Sequence, residues 1–80
     1  MTLDISSASL DRVISMAIRS EIDAAAIYEK LITMVNNFVL REKLAFLAEE
    51  EKNHQKVLES LFEKMFPGKE PDPDEKGACP

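Results

Sequence analysis

The stretch LAFLAEEEKNHQKVLESLF, residues 44–62, is rich in strong helix formers and has an apolar residue at every third or fourth position. Four leucines share one face of such a helix: Leu44, Leu47, Leu58 and Leu61. Glu51 and His54 interrupt the same face at its middle. The stretch therefore predicts an amphipathic helix whose apolar side carries a carboxylate and an imidazole.

The remainder of the chain predicts one further helix. Every Pro and Gly lies at or beyond Pro67, and residues 8–66 contain neither. The segment VNNF, residues 35–38, is the plausible break, because Asn tolerates the left-handed conformation that closes one helix and can also cap the next. A connection this short makes the fold all-α, with two antiparallel helices. The predicted units are helix A (about 7–35), helix B (about 38–66), the hairpin domain that they form (1–66) and a Pro-rich, acidic, flexible tail (67–80).

Alternating steps of four and three residues define a seam on each helix, the spacing typical of helices that pack side by side in a bundle. The seam positions are Leu10, Ile14, Ala17, Glu21, Ala24, Tyr28, Leu31 and Val35 on helix A, and Leu40, Leu44, Leu47, Glu51, His54, Leu58, Leu61 and Met65 on helix B. All are apolar except Glu21, Tyr28, Glu51 and His54, which lie near the middle of the helices. The seams therefore place two carboxylates where a core is expected.

A buried, ionised carboxylate without a partner costs several kcal/mol, which a chain this small cannot easily lose. Protonation, a Lys or Arg from a neighbour, or a bound metal could each compensate, but neither seam contains Lys or Arg. Glu21 and Glu51 lie about equally far from the turn, so they should sit at the same height, and Glu51 and His54 project from one face. We therefore predict that Glu21, Glu51 and His54 bind a metal, with iron or manganese favoured and zinc or cobalt as substitutes.

One chain supplies half of a known ligand set. Carboxylate-bridged di-iron sites in four-helix bundles use one Glu from each of two helices and a Glu-x-x-His from each of the other two. Two copies of this hairpin would supply that set and would also cover the apolar faces that two helices leave exposed. Those faces include Ile18, Ile32, Phe46, Val57 and Phe62. The expected assembly is a homodimer, or a higher oligomer of dimers, with a ferritin-like four-helix bundle.

These motifs resemble those of the rubrerythrin branch of the ferritin-like superfamily. AIRSEIDAAAIYEKL, residues 17–31, is similar to the first metal-binding helix of the family, and residues 44–62 are similar to the second. The resemblance covers roughly residues 10–66. It implies a di-iron site with a pair of iron ions per dimer interface, and an oxidoreductase that oxidises Fe(II) with oxygen or reduces peroxide. It also implies that Tyr28 supports the site by bonding its hydroxyl to a ligand carboxylate.

Two departures from the family pattern qualify these implications. Typical members carry both helical halves in one chain of about twice this length, and rubrerythrin itself ends in an iron-thiolate domain with paired Cys-x-x-Cys motifs, whereas this chain has Cys79 alone. The two-helix, dimeric form is similar to the encapsulated ferritins, which oxidise iron at a subunit interface. An encapsulating shell protein is therefore one conceivable partner, although the tail contains no recognisable targeting sequence.

Each candidate residue also has a simpler interpretation. Glu51 and His54 could belong to a solvated, charged face, and Glu21 could pair with a neighbouring Lys or Arg. Asp23 could be an acid on an ion entry path, but plain solvent exposure is the simpler reading. The whole hairpin could instead be a module in which metal only staples a dimer, or a metal-free interaction domain.

Composition limits the partners and the cellular location that the protein can have. The net charge of −5 and the pI of about 4.8 argue against nucleic acid or an anionic membrane as the main partner. No apolar run approaches the roughly 20 residues that span a bilayer, and the first residues lack the basic segment of a signal peptide. Cys79 has no second cysteine with which to form an intrachain disulfide. These features predict a cytoplasmic protein.

Overall fold

The computed structural model describes residues 9–71, and these form an all-α hairpin with no strand. Helix α1 spans Leu10–Met34 and helix α2 spans Phe38–Met65. The prediction of two helices is therefore confirmed. The expected start of helix A at about residue 7, and most of the expected tail, lie outside the described residues. No helix of the described chain is both long and apolar enough to cross a membrane.

The turn between the helices uses extended backbone. Val35 ends α1 with φ −104° and ψ 133°, and its N–H donates to the carbonyl of Leu31 at 3.1 Å. Asn37 caps α2, since its side-chain oxygen accepts a hydrogen bond from the Leu40 N–H at 3.1 Å. No residue of the described chain other than Gly68 has positive φ, so the expected left-handed Asn is wrong and the capping role of Asn is right.

The core of the hairpin is a short row of side chains between the two helices. Ile14, Ile18 and Phe62 are buried together. The Phe62 ring also contacts the Phe66 ring, with centroids 5.1 Å apart. Ala25 and Ala48 are buried nearer the turn, where their small side chains let the two backbones approach closely. Burial of this row is the main term that holds α1 against α2.

The buried row follows the predicted seam only in part: the seam residue Ile14 is buried in it and the seam residue Leu58 packs against it. Several seam residues are exposed: Leu10, Leu40, Leu47, Leu61 and Met65. Residues on one flank of each seam are buried instead, including Ile18 and Phe62. The expectation that these two side chains are exposed in a single hairpin is therefore wrong. Two helices touch along one narrow strip, whereas the 3.5-residue seam faces the centre of a bundle of four. Phe46 and Val57 remain exposed, as expected, and Ile32 is partly buried.

A clasp closes the end of the hairpin opposite the turn. Gly68 has φ 81°, a conformation that favours glycine, and the Lys69 N–H donates to the Phe66 carbonyl at 3.0 Å. The chain thereby turns back, and the Lys69 ammonium pairs with the carboxylate of Asp11 at the start of α1. This pair joins residues 58 positions apart. It fixes the open end of α1 against the end of α2.

Candidate metal centre

Three of the predicted site residues meet halfway along the hairpin. Glu21 projects from α1, and Glu51 and His54 project from consecutive turns of α2. One ligand atom from each of the three lies within 4.8 Å of the others. Nδ1 of His54 lies 3.5 Å from Oε2 of Glu21 and 3.7 Å from Oε2 of Glu51. The expected equal height of Glu21 and Glu51 is thus what the antiparallel packing produces.

The two carboxylates and the imidazole differ in exposure. The side chains of Glu21 and Glu51 are 23% and 21% exposed, whereas that of His54 is 58% exposed. The carboxylates therefore lie between the helices, and His54 lies at the edge of the groove facing solvent. In a single chain the cluster is therefore open to solvent on one side, at His54.

Within the described chain, neither Lys nor Arg forms an ion pair with these carboxylates. Lys52 points to the other flank, where its Nζ lies 3.2 Å from Oε1 of Glu29. Arg19 pairs with Asp23 at 3.1 Å. The alternative in which Glu21 pairs with Lys or Arg therefore finds no support within residues 9–71, and Asp23 is an exposed surface residue in an ion pair.

One oxygen at the centre of the cluster has unused bonding capacity. Oε2 of Glu21 is buried and accepts no hydrogen bond, although the His54 nitrogen is close. A buried carboxylate oxygen without a donor is unfavourable. The Glu51 carboxyl beside it raises the pKa of Glu21, burial raises that pKa further, and His54 opposes both. A divalent cation would relieve the repulsion and satisfy the oxygen, so the residues present fit a metal.

The donor set also fits the predicted metals. Two carboxylates and one imidazole are hard to borderline ligands, which suit iron, manganese and zinc better than soft copper(I). The three ligating side chains that the described residues bring together would leave coordination positions open on such a metal.

Tyr28 lies on the same face of α1 as Glu21, two turns nearer the interhelical turn, and is partly buried. Within residues 9–71 no hydrogen bond joins its hydroxyl to Glu21 or Glu51. Its support for a ligand carboxylate therefore stays a prediction. A surface cleft of about 420 Å³ lies at the open end of the hairpin, beside Phe62 and Pro71, and the three candidate ligands do not line it.

Sequence reasoning missed two ion pairs that join the two halves of the described chain: Glu29 with Lys52, and Asp11 with Lys69. Both join α1 to the α2 side across the hairpin. Each involves charged residues with no distinguishing local pattern, so no signal in the sequence marks them. The alanines at 25 and 48 did carry a signal, since small residues at level positions allow close helix packing.

Comparison with known proteins agrees with this geometry. The profile of the Rubrerythrin family matches residues 12–78. A solved structure of a hypothetical protein from Pyrococcus furiosus is similar, with 40% sequence identity and a TM-score of 0.81. The match covers 91% of this chain and 47% of that protein, so the chain spans about half the length of its structural relative. No curated protein matches the chain.

Proposed function

The chain belongs to the rubrerythrin family, and we propose that it is a di-iron carboxylate protein that oxidises Fe(II) with oxygen or peroxide at a centre shared by two copies of the hairpin. The single observation that carries this proposal is the meeting of Glu21, Glu51 and His54 within 4.8 Å around a buried carboxylate oxygen that has no donor. Bound iron would supply one-electron redox chemistry there.

The protein residues have three tasks in this proposal. Glu21 and Glu51 would hold the cations, and two carboxylates from each of two copies would balance the four positive charges of a pair of divalent ions. His54 would complete the set from the solvent side, in its neutral form, because a protonated imidazole cannot bind metal. The buried cluster of Ile14, Ile18 and Phe62 stabilises the packing of α1 against α2, on which the position of Glu21 beside Glu51 depends.

Half-exposed His54 supports the shared centre. A ligand that is 58% exposed in one chain would leave its metal open to water and to loss. A second hairpin on this side would cover His54 and contribute its own Glu21, Glu51 and His54. The matched structure from Pyrococcus furiosus is about twice as long as the region aligned with this chain.

The test is an anaerobic titration of Fe(II) into metal-free protein, followed by native mass spectrometry and then by admission of oxygen. We expect a pair of iron ions per dimer and ferric absorption that grows with oxygen. Glu51→Ala and His54→Ala should abolish both, while Glu49→Ala, an exposed carboxylate on the same helix, should change neither.

Two results would redirect the interpretation. Tight binding of Fe(II) without its oxidation would indicate a structural metal that only stabilises the dimer. No binding, with helicity and dimerisation unchanged by chelator, would leave a metal-free interaction domain.

A further inference from the structure

The surface cleft at the open end of the hairpin lies on the flank that faces away from the candidate metal centre. Its volume of about 420 Å³ is typical of sites that take a small molecule. Glu63, which lines the cleft, lies nine residues beyond His54 on α2. Nine residues make about two and a half turns, so the two side chains project from opposite sides of the helix. The cleft is therefore separate from the metal centre.

One side of the cleft is apolar. Four of its lining residues have hydrocarbon side chains: Ile18, Ile22, Phe62 and Pro71. Ile22 and Pro71 are only partly buried, so they offer apolar surface to a ligand. A ligand with methylene groups would gain by removing that surface from water.

Three carboxylates of the cleft lack a cationic partner. Glu59 accepts a hydrogen bond of 3.2 Å from the neutral side chain of Gln55. Within residues 9–71, no ion pair or hydrogen bond engages the side chain of Glu63 or Glu70. Glu59 and Glu63 also lie one turn apart on α2, where like charges repel. The charge of the cleft is thus complementary to a cationic ligand.

The two cations of the cleft do not offset these carboxylates, because each is paired with an acid outside it. Arg19 pairs with Asp23 at 3.1 Å, and Lys69 pairs with Asp11. The sequence that follows the cleft, residues 72–80, contains three acids and one lysine, so its charge does not complement the cleft either. The cation must therefore come from another molecule.

The spacing of the carboxylates favours an extended ligand over a metal ion. Among the described residues, the one group of three side chains close enough to share an ion is Glu21, Glu51 and His54. The carboxylates of the cleft are too far apart to do so. A chain with several cationic groups can reach carboxylates that a single ion cannot.

We propose that this cleft binds a linear aliphatic polyamine. The ammonium groups, which are protonated at neutral pH like that of a lysine, pair with the carboxylates of Glu59, Glu63 and Glu70. The methylene groups between them lie on Ile22 and Pro71. This site is independent of the proposed iron chemistry, because it shares no residue with the metal centre.

An NMR titration separates binding in the cleft from general attraction to an acidic chain. Spermidine is added to the ¹⁵N-labelled chain at constant ionic strength, and the amide shifts are followed residue by residue. Mg²⁺ is the matched probe, because it is cationic but has no hydrocarbon chain. The cleft variant Glu59→Gln, Glu63→Gln is compared with the control variant Glu42→Gln, Glu49→Gln. The control removes two exposed carboxylates of α2 outside the cleft and changes the net charge equally.

We expect spermidine to cause saturable shifts of the amides that line the cleft. The cleft variant should bind spermidine about tenfold more weakly, since each of two exposed ion pairs contributes roughly threefold, and the control variant should keep the affinity of the parent. Three results would each overturn the proposal. They are shifts that do not saturate and spread over all acidic residues, equal weakening by both variants, and equal saturation of the same amides by Mg²⁺.

Discussion

Nδ1 of His54 on α2 lies 3.5 Å from Oε2 of Glu21 on α1, although 33 residues separate them in the sequence. That oxygen is buried without a hydrogen bond, whereas the imidazole is mostly exposed. The centre is thus closed on the side where α1 and α2 pack together and open on the side of the exposed His54.

In metal-free protein, the pKa of Glu21 should lie above its ordinary value of 4.5, because the Glu51 carboxyl and burial both disfavour its charge. Glu51→Gln should lower that pKa, and His54→Ala should raise it, because His54 opposes the shift. Carboxyl titration by NMR in EDTA measures all three proteins. Equal pKa values in the three proteins would show that Glu21 does not sense its neighbours.

The same shift predicts how the stability of the metal-free protein depends on pH. A carboxyl whose folded pKa is raised binds more protons in the folded state, so stability rises as pH falls through that pKa towards 4.5. Glu21→Gln removes this contribution. The thermal midpoint of the parent, measured relative to that of Glu21→Gln, should therefore increase as pH falls from neutral towards 4.5, and a constant difference would contradict the linkage.

Metal should stabilise the parent protein selectively. A cation that binds only the folded state at a hundred times its Kd adds about 2.7 kcal/mol to the free energy of unfolding. Mn(II), or Fe(II) without oxygen, should therefore raise the thermal midpoint of the parent and leave that of Glu21→Ala unchanged. Glu29→Ala is the matched control, since Glu29 lies on α1 outside the cluster, and it should keep the response. An equal response from Glu21→Ala would exclude Glu21 as a ligand.

The clasp should have a titration signature of its own. The Lys69 ammonium, aided by a hydrogen bond from Ser9, lowers the pKa of Asp11 from 3.8 to about 2. The stabilisation from this carboxylate is complete above 3.8 and is lost as pH falls towards 2. Lys69→Ala should move the pKa of Asp11 towards 3.8 by NMR, whereas Lys64→Ala should leave it unchanged. An unaltered Asp11 in Lys69→Ala would show that the clasp does not form in solution.

The core should depend on one aromatic side chain. Phe62 is 1% exposed, and Phe62→Ala should cost about 3–5 kcal/mol, which is comparable with the total stability of a small domain. Phe46 is 64% exposed, so Phe46→Ala should change the free energy of unfolding by no more than about 0.5 kcal/mol. Urea unfolding by circular dichroism compares the two, with Phe62→Leu as a milder variant if Phe62→Ala does not fold. Similar losses at both positions would place the core elsewhere.

The sequence by itself determined the local features of this protein. The absence of Pro and Gly before Pro67, and the apolar period, predicted two helices, and the paired Asn residues marked the turn. Because both helices are regular and the turn is short, counting residues from the turn was enough to set Glu21 level with Glu51. The spacing of Glu51 and His54 alone placed both on one face.

Only the tertiary structure decided how each helix is rotated about its axis. Ile18 and Phe62 are buried, while Leu47 and Leu61 remain exposed. A contact between two helices buries only one flank of the apolar face, and the apolar pattern of the sequence does not show which flank that is. The same rotation leaves His54 at the open edge and buries the oxygen of Glu21. The ion pairs of Asp11 with Lys69 and of Glu29 with Lys52 also depend on that rotation. The sequence could not predict them, because nothing in the residues around a charged side chain identifies a partner that is distant in the chain.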